Sequence, residues 1–138
     1  MSETYLATVL LNVALDDQGR PLGFFGFDDG HNLATACTPQ GQEVAFAVQA
    51  DDPEHAADLA FTLGNRESLP GRATAVDDAG VRWPDDVRSV SVGDVIRVTG
   101  PAGMVHLAVE SRGFREVPVP VLSALVPLAG TIATSRTT

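Results

Sequence analysis

The side chains best suited to catalysis or metal binding are few in this chain and lie far apart in the sequence. They are one cysteine, Cys37, and three histidines, His31, His55 and His106. A catalytic thiol needs a histidine base and a group that orients it, and a metal site needs ligands at close spacing or on one face. A base beside the thiol would have to come from the fold, so the lone Cys37 is expected in its commoner role, as a buried small residue. The histidines are spaced too far apart in the sequence to predict a metal site.

One short segment keeps an enzymatic interpretation open. His31 follows Asp28 and Asp29 in the stretch "DDGH", where carboxylate and imidazole groups could contribute to a metal site. An enzyme with Cys37 or this segment in its site is therefore a third hypothesis, behind the two binding functions described below.

Adjacent aspartates occur five times, as pairs that begin at positions 16, 28, 51, 77 and 85. Paired carboxylates perform acid–base chemistry only where burial drives their pKa values apart. Four pairs have the surroundings of loops, and the pair at 51 precedes a predicted helix as a cap. We therefore expect these pairs to spread negative charge over the surface and to have no catalytic role.

The sequence motifs of the common enzyme classes are missing from the chain. It contains no phosphate-binding loop, no dinucleotide fingerprint and no nucleophile elbow. It also contains no lysine, so it has no lysine for Schiff-base chemistry and none for a phosphate-binding loop. These absences favour a protein that has no catalytic residues and needs no cofactor.

The charge of the chain favours some partners over others. The formal net charge is −9, and all nine basic residues are arginines. Such an excess of acid opposes binding to phosphate backbones and to anionic membrane surfaces. It is compatible with a charge that serves only solubility, and also with an acidic surface that meets a basic partner. Among partners, a protein is therefore expected and nucleic acid is less favoured.

The stretch "RSVSVGDVIRV", residues 88–98, is the most patterned part of the chain. Gly93 offers a positive φ angle and Asp94 can accept hydrogen bonds from nearby backbone amides, so the stretch predicts a tight turn that begins a strand. Arg88 and Arg97, on either side of the turn, could bind a carboxylate or a phosphate by two-pronged hydrogen bonding. Ion pairs with the many local acids are the more favoured role for them, and examples of such partners are Asp85, Asp86 and Glu110.

A nucleic-acid-binding module of the small-barrel kind is the alternative function. In this hypothesis the arginines around the turn would form a local basic patch on an acidic protein, and the turn aspartate would lie beside them. The candidate binding residues are Arg88, Asp94, Arg97, Arg112 and Arg115.

The elements that must position these residues follow from the apolar patterns. Alternation predicts a buried first strand over residues 4–15 and another strand over 43–50. A helix over about residues 52–64 is predicted between an aspartate cap with Pro53 in its first turn and the closing pair Gly64 and Asn65.

The second half of the chain predicts a loop, a hairpin and an apolar end. Residues 66–87 are the least regular, and residues 88–99 and 104–111 form the clearest hairpin. The C-terminal segment 117–133 either packs on the sheet or acts as an arm that could support a homo-oligomer. The chain is thus expected to be a single α+β domain over 1–138, with a mainly antiparallel sheet or a small β-barrel and one well-capped helix.

Residues 44–117 resemble a family of small proteins encoded on actinobacterial plasmids, phages and integrative elements, many of them YodL-like. The resemblance rests on the helix "AADLAFTLGN", on "RSVSVGDV" where the family has "RSLSVGDV", and on Phe114 near the expected aromatic. It implies an accessory role in a mobile element and carries over no catalytic residue. A more distant likeness to small barrels of the PUA and ASCH type, which also have a "GD" turn before a strand, implies RNA binding.

The ends of the chain bear on localisation. The N-terminal apolar run "YLATVLLNVAL" has no basic stretch before it, so a secretory signal is not expected. The C-terminal apolar run is short for a membrane span and carries prolines. A cytoplasmic, non-enzymatic accessory protein is the expectation.

Overall fold

A computed structural model describes residues 2–14, 17–19, 33–38, 40, 42–85 and 87–118. The elements are β1 (Glu3–Asn12), β2 (Leu33–Thr35), β3 (Ala45–Ala50), α1 (Pro53–Gly64), β4 (Val95–Gly100), β5 (Gly103–Val109) and β6 (Phe114–Val117). All pairings are antiparallel and the sheet is open, which confirms the α+β prediction with a mainly antiparallel sheet. A closed barrel, the alternative arrangement, is not what these strands form.

The first strand is largely buried, as predicted, and it is central in the sheet. The strand order is β2-β1-β4-β5-β6, and β3 also pairs with β1. On one side of β1, β2 pairs with residues 10–12 and β3 with residues 3–8. Because β3 and β4 flank β1 and both run antiparallel to it, α1 connects them across β1 as a split β-α-β unit.

The main core lies between the helix and one face of the sheet. Period-two alternation in β1 places Tyr5, Ala7, Val9 and Leu11 on this face, where all four are buried. The core also includes residues of β3, α1 and β4, namely Phe46, Val48, Ala56, Ala60, Leu63, Ile96 and Val98. The strand prediction for 43–50 is confirmed over Ala45–Ala50.

The helix begins and ends where its capping residues predicted. Asp52 is the N-cap, and its Oδ1 accepts a hydrogen bond from the backbone N–H of His55 at 2.8 Å. Pro53 occupies the first turn, and Asn65 is the C-cap. Asn65 has a φ of −104° and is not left-handed. The left-handed residue is the next one, Arg66, with a φ of 60°.

The described residues between α1 and β4, 65–85 and 87–94, form neither helix nor strand. The apolar pieces at 74–76 and 81–83, which suggest short strands in the sequence, are therefore not strands. A ring contact and side-chain hydrogen bonds hold this segment in place instead. The Trp83 ring stacks at a tilt on Phe46, and its Nε1 donates to the Arg88 carbonyl at 2.9 Å. The Arg66 guanidinium donates to carbonyls of the same segment, those of Pro84, Asp85 and Val87.

A smaller apolar cluster occupies the other face of the sheet and joins Leu10, Leu33, Val95, Ala108 and Val117. The stretch "DDGH" and the C-terminal apolar segment beyond Pro118 lie outside the described residues. In the part of the chain that is described, no helix is long and apolar enough to cross a membrane.

Candidate acidic interaction site

The turn before β4 is held by a network around one buried carboxylate. Asp94 accepts hydrogen bonds from Arg88 Nη1 and Nη2, at 2.8 and 2.7 Å, and from the backbone N–H groups of Ser91 and Asn12, both at 2.8 Å. Gly93 has a φ of 93°, as predicted for this turn. Because the network fastens the turn to the end of β1, the "SVGD" stretch stabilises the fold.

The partner of Arg88 differs from the ones expected from the sequence. Its guanidinium pairs with Asp94 and donates to the carbonyls of Ser89 and Asn12. Its side chain is 9% exposed, and that of Asp94 is 1% exposed. Of the five predicted binding residues, these two are therefore brought together, in a contact with each other inside the protein.

The remaining three arginines lie in different surroundings. Arg97 in β4 donates through Nε to His106 Nε2 at 3.2 Å, on the sheet face opposite α1. Arg115 in β6 forms an ion pair with Glu110, one of the acids expected as partners, at 2.9 Å. Arg112 is exposed in the turn between β5 and β6. The described arginines are thus mostly engaged in contacts within the chain and do not form one basic patch.

One concave surface among the described residues is a groove lined by acidic residues. It lies between the first two turns of α1 and the turn before β6, and has a volume of about 480 Å³. Its lining residues, which define the acidic groove, are Asp52, Glu54, His55, Asp58, Gly113 and Phe114. The groove brings the predicted helix cap next to the aromatic residue of β6, two positions that are distant in the sequence.

Further carboxylates surround the helix N-terminus. Burial raises the pKa of the Tyr5 hydroxyl, and the negative charges of Glu3, Asp52 and Asp51 raise it further. Within the described ranges, the arginine–carboxylate ion pairs involve other acids, Asp78, Asp94 and Glu110. The negative charge at this end of the molecule is therefore not neutralised by the described arginines.

His55 lies in the first turn of α1 and is exposed. Its Nδ1 accepts a hydrogen bond from the backbone N–H of Asp51 at 3.0 Å and lies 3.8 Å from Asp51 Oδ2. Its own backbone N–H is bound by the cap Asp52. These hydrogen bonds hold the imidazole against the residues that precede α1, beside the groove.

Cys37 is buried, as predicted, with 3% of its surface exposed. It forms an isolated β-bridge with Glu43, and its Sγ lies 4.0 Å from Thr35 Oγ1. Among the described residues no histidine contacts the thiol, and no group of histidine, cysteine and carboxylate side chains has the arrangement of a metal site. The "DDGH" half of the enzymatic hypothesis lies outside these residues.

Sequence reasoning missed one buried carboxylate, Asp77. Its Oδ2 accepts the Ala47 N–H of β3 at 2.7 Å, and its Oδ1 accepts the backbone N–H groups of Ala79 and Val81. The Asp78 N–H then donates to the Ala47 carbonyl at 3.1 Å. The first aspartate of "DDAG" thus caps the outer edge of β3, although the sequence offers no signal that separates it from the other aspartate pairs.

Compared with models of protein families, with curated proteins and with solved structures, the chain matches none.

Proposed function

We propose that this protein is a non-enzymatic accessory factor that binds a basic protein partner through the acidic groove. The observation that carries the proposal is the convergence of Asp52, Glu54 and Asp58 opposite Gly113 and Phe114. Carboxylates in a groove attract arginine and lysine side chains, and such charge complementarity accelerates association. The Phe114 ring adds an aromatic surface on which a cationic side chain can rest.

The contacts of the arginines favour a protein partner over a nucleic acid. Phosphate binding requires exposed basic side chains on one surface. Arg88 is instead paired with Asp94 inside the protein, and Arg97 and Arg115 are engaged with His106 and Glu110. The net charge of −9 acts in the same direction.

The biological setting in this proposal comes from the sequence. The resemblance of residues 44–117 to small proteins of actinobacterial plasmids, phages and integrative elements suggests an accessory role in a mobile element. A single cysteine fits a reducing compartment, so we place the function in the cytoplasm.

The test is a pull-down with purified protein from an actinobacterial lysate, with and without nuclease and at two salt concentrations. The informative variant is Glu54→Gln with Asp58→Asn, which removes two groove charges and spares the cap Asp52. The matched control is Glu67→Gln with Asp85→Asn, which removes two exposed charges outside the groove lining.

We expect to recover a basic protein whose retention persists after nuclease treatment and is lost at high salt. It should bind the control variant but not the groove variant. Equal binding to both variants would assign the interaction to another surface. Bound material that disappears with nuclease would overturn the proposal and favour a nucleic-acid partner.

A further inference from the structure

The edge strands β3 and β6 differ in whether their outward-facing backbone groups are hydrogen-bonded. At β3, the outward-facing N–H and C=O groups of Ala47 are bound by Asp77 Oδ2 and by the Asp78 N–H. At β6, the strand pairs with β5 alone, and its outer edge has no backbone partner among the described residues. Open edges are sites where another strand can add, and proteins usually cover or blunt them.

The hydrogen bonds around β5 show which groups of β6 face outward. The Val109 N–H and C=O bond with the Asp94–Gly93 segment on the β4 side, and the Glu110 N–H donates to the Gly113 carbonyl. Because ladder bonds alternate along an antiparallel pair, Arg115 and Val117 direct their N–H and C=O groups to β5. Phe114 and Glu116 therefore direct theirs to the open edge.

The same alternation fixes the side chains beside that edge. Phe114 packs against the core on the α1 side of the sheet, and period two places Glu116 on the same side. The acidic groove lies on this side as well, since Phe114 and Gly113 form one of its walls. A strand added to β6 would thus direct every second side chain toward Phe114, Glu116 and the carboxylates of the groove.

We propose that the open edge of β6 binds an extended segment of the partner by antiparallel strand addition, with arginine or lysine at alternate positions facing the acidic groove. This inference rests on the proposed function and specifies how the partner is held. Backbone hydrogen bonds to Phe114 and Glu116 supply part of the affinity, and the alternate basic side chains supply selectivity. A basic residue opposite Glu116 forms a favourable cross-strand pair.

The probe is a short acetylated and amidated peptide of alternating threonine and arginine, titrated into the intact protein. Binding is measured by isothermal titration calorimetry, and amide hydrogen exchange is followed residue by residue. We expect new protection at the amides of Phe114 and Glu116 and little change at Arg115 and Val117, whose amides already bond with β5.

Methylation of the peptide backbone separates strand addition from charge attraction. In the antiparallel pairing the arginine N–H groups face β6 and the threonine N–H groups face solvent. N-methylation of two arginines keeps every charge but removes two hydrogen bonds, so we expect about tenfold weaker binding. N-methylation of two threonines is the matched control and should leave the affinity nearly unchanged.

A protein variant gives the reciprocal test. Glu116→Pro removes an outward N–H that takes no part in the ladder with β5, and Pro is compatible with an edge strand. Its control, Glu116→Ala, removes only the charge, so the proline variant should bind more weakly than the alanine variant. Binding that depends on Glu54 and Asp58 but is indifferent to methylation and to proline would overturn strand addition and leave the acidic groove as a binding site. Absence of peptide binding to the wild-type protein would overturn both proposals.

Discussion

Asp94 and Arg88 form a two-pronged ion pair in the turn before β4, with Oδ2–Nη1 and Oδ1–Nη2 distances of 2.8 and 2.7 Å. Both side chains are buried, and the same carboxylate also binds the Asn12 N–H at the end of β1. Two charges taken out of water are tolerated only if each remains fully partnered. The pair therefore determines where the loop after α1 meets the central strand.

Loss of one partner of this pair should strongly destabilise the protein. In Arg88→Met the Asp94 carboxylate stays buried without its cation, and we expect a loss of about 3–5 kcal/mol in the free energy of unfolding. Urea denaturation followed by circular dichroism measures it.

The partly exposed pair of Arg115 with Glu110 provides the control for this prediction. Both side chains are about two-fifths exposed, at 40% and 41%. Arg115→Met should therefore lower the free energy of unfolding by at most about 1 kcal/mol. Similar small losses for both methionine variants would contradict a stabilising role for the Arg88–Asp94 pair.

His106 should make the stability of the protein sensitive to mildly acidic pH. Burial lowers the pKa of its imidazole below 6.5, and the positive charge of Arg97 lowers it further. Its Nε2 must be unprotonated to accept the Arg97 Nε–H at 3.2 Å. Near pH 6.5 and just below it, the histidine of the unfolded chain therefore binds a proton more readily than His106 in the folded protein.

The sign follows from this difference in proton binding. The contribution of neutral His106 is fully present above pH about 6.5, the pKa of an unfolded histidine, and declines as the pH falls below it. We expect the free energy of unfolding to decrease between pH 7 and 5, and to decrease less in His106→Gln. Chemical denaturation across this range measures both profiles. Parallel profiles for the two proteins would assign the pH dependence to other groups.

Cys37 should be unreactive in the native protein. Its thiol is 3% exposed, and nucleophilic attack requires an accessible thiolate. We expect an aromatic disulfide reagent to label it only when urea unfolds the chain, with the labelling midpoint at the unfolding midpoint. Rapid native labelling would revive the hypothesis of an enzyme that uses this thiol.

The fold was predictable where local chemistry decides it. The capping of α1 by Asp52 and the turn at Gly93 depend on neighbouring residues, so their side chains and backbone angles identify them. The central position of β1 follows from a strand with one fully apolar face and a mixed second face that includes Leu6 and Leu10. The choice between an open sheet and a barrel was not predictable, because it depends on which distant strands pair.

The site was predictable only in its parts. The acids at the start of α1 were recognised, but their proximity to Phe114 depends on the path of β4, β5 and β6. Arg88 was expected to pair with a local acid and does so, but the acid is Asp94 and not one of the named candidates, since the turn brings Asp94 and the end of β1 to the same guanidinium. Asp77 was missed because its function as an edge cap requires β3 beside it.

Gly64 should be intolerant of a side chain because of its contact with Val90. A Cβ atom at position 64 would lie 2.2 Å from Val90 Cγ2 and 3.2 Å from Val90 Cβ. Alanine normally favours a helix over glycine by up to about 1 kcal/mol, but here the overpacking of a buried contact dominates. We therefore expect Gly64→Ala to lower the free energy of unfolding by about 1–3 kcal/mol.

Removal of the opposing methyl groups should partly restore stability. Val90→Ala alone creates a small cavity and is destabilising, whereas in Gly64→Ala with Val90→Ala the new methyl group enters the vacated space. The double variant should therefore lose less than the sum of the two single variants, which a double-mutant cycle by urea denaturation measures. Strict additivity, or stabilisation by Gly64→Ala alone, would show that α1 and the loop at Val90 are not in tight contact.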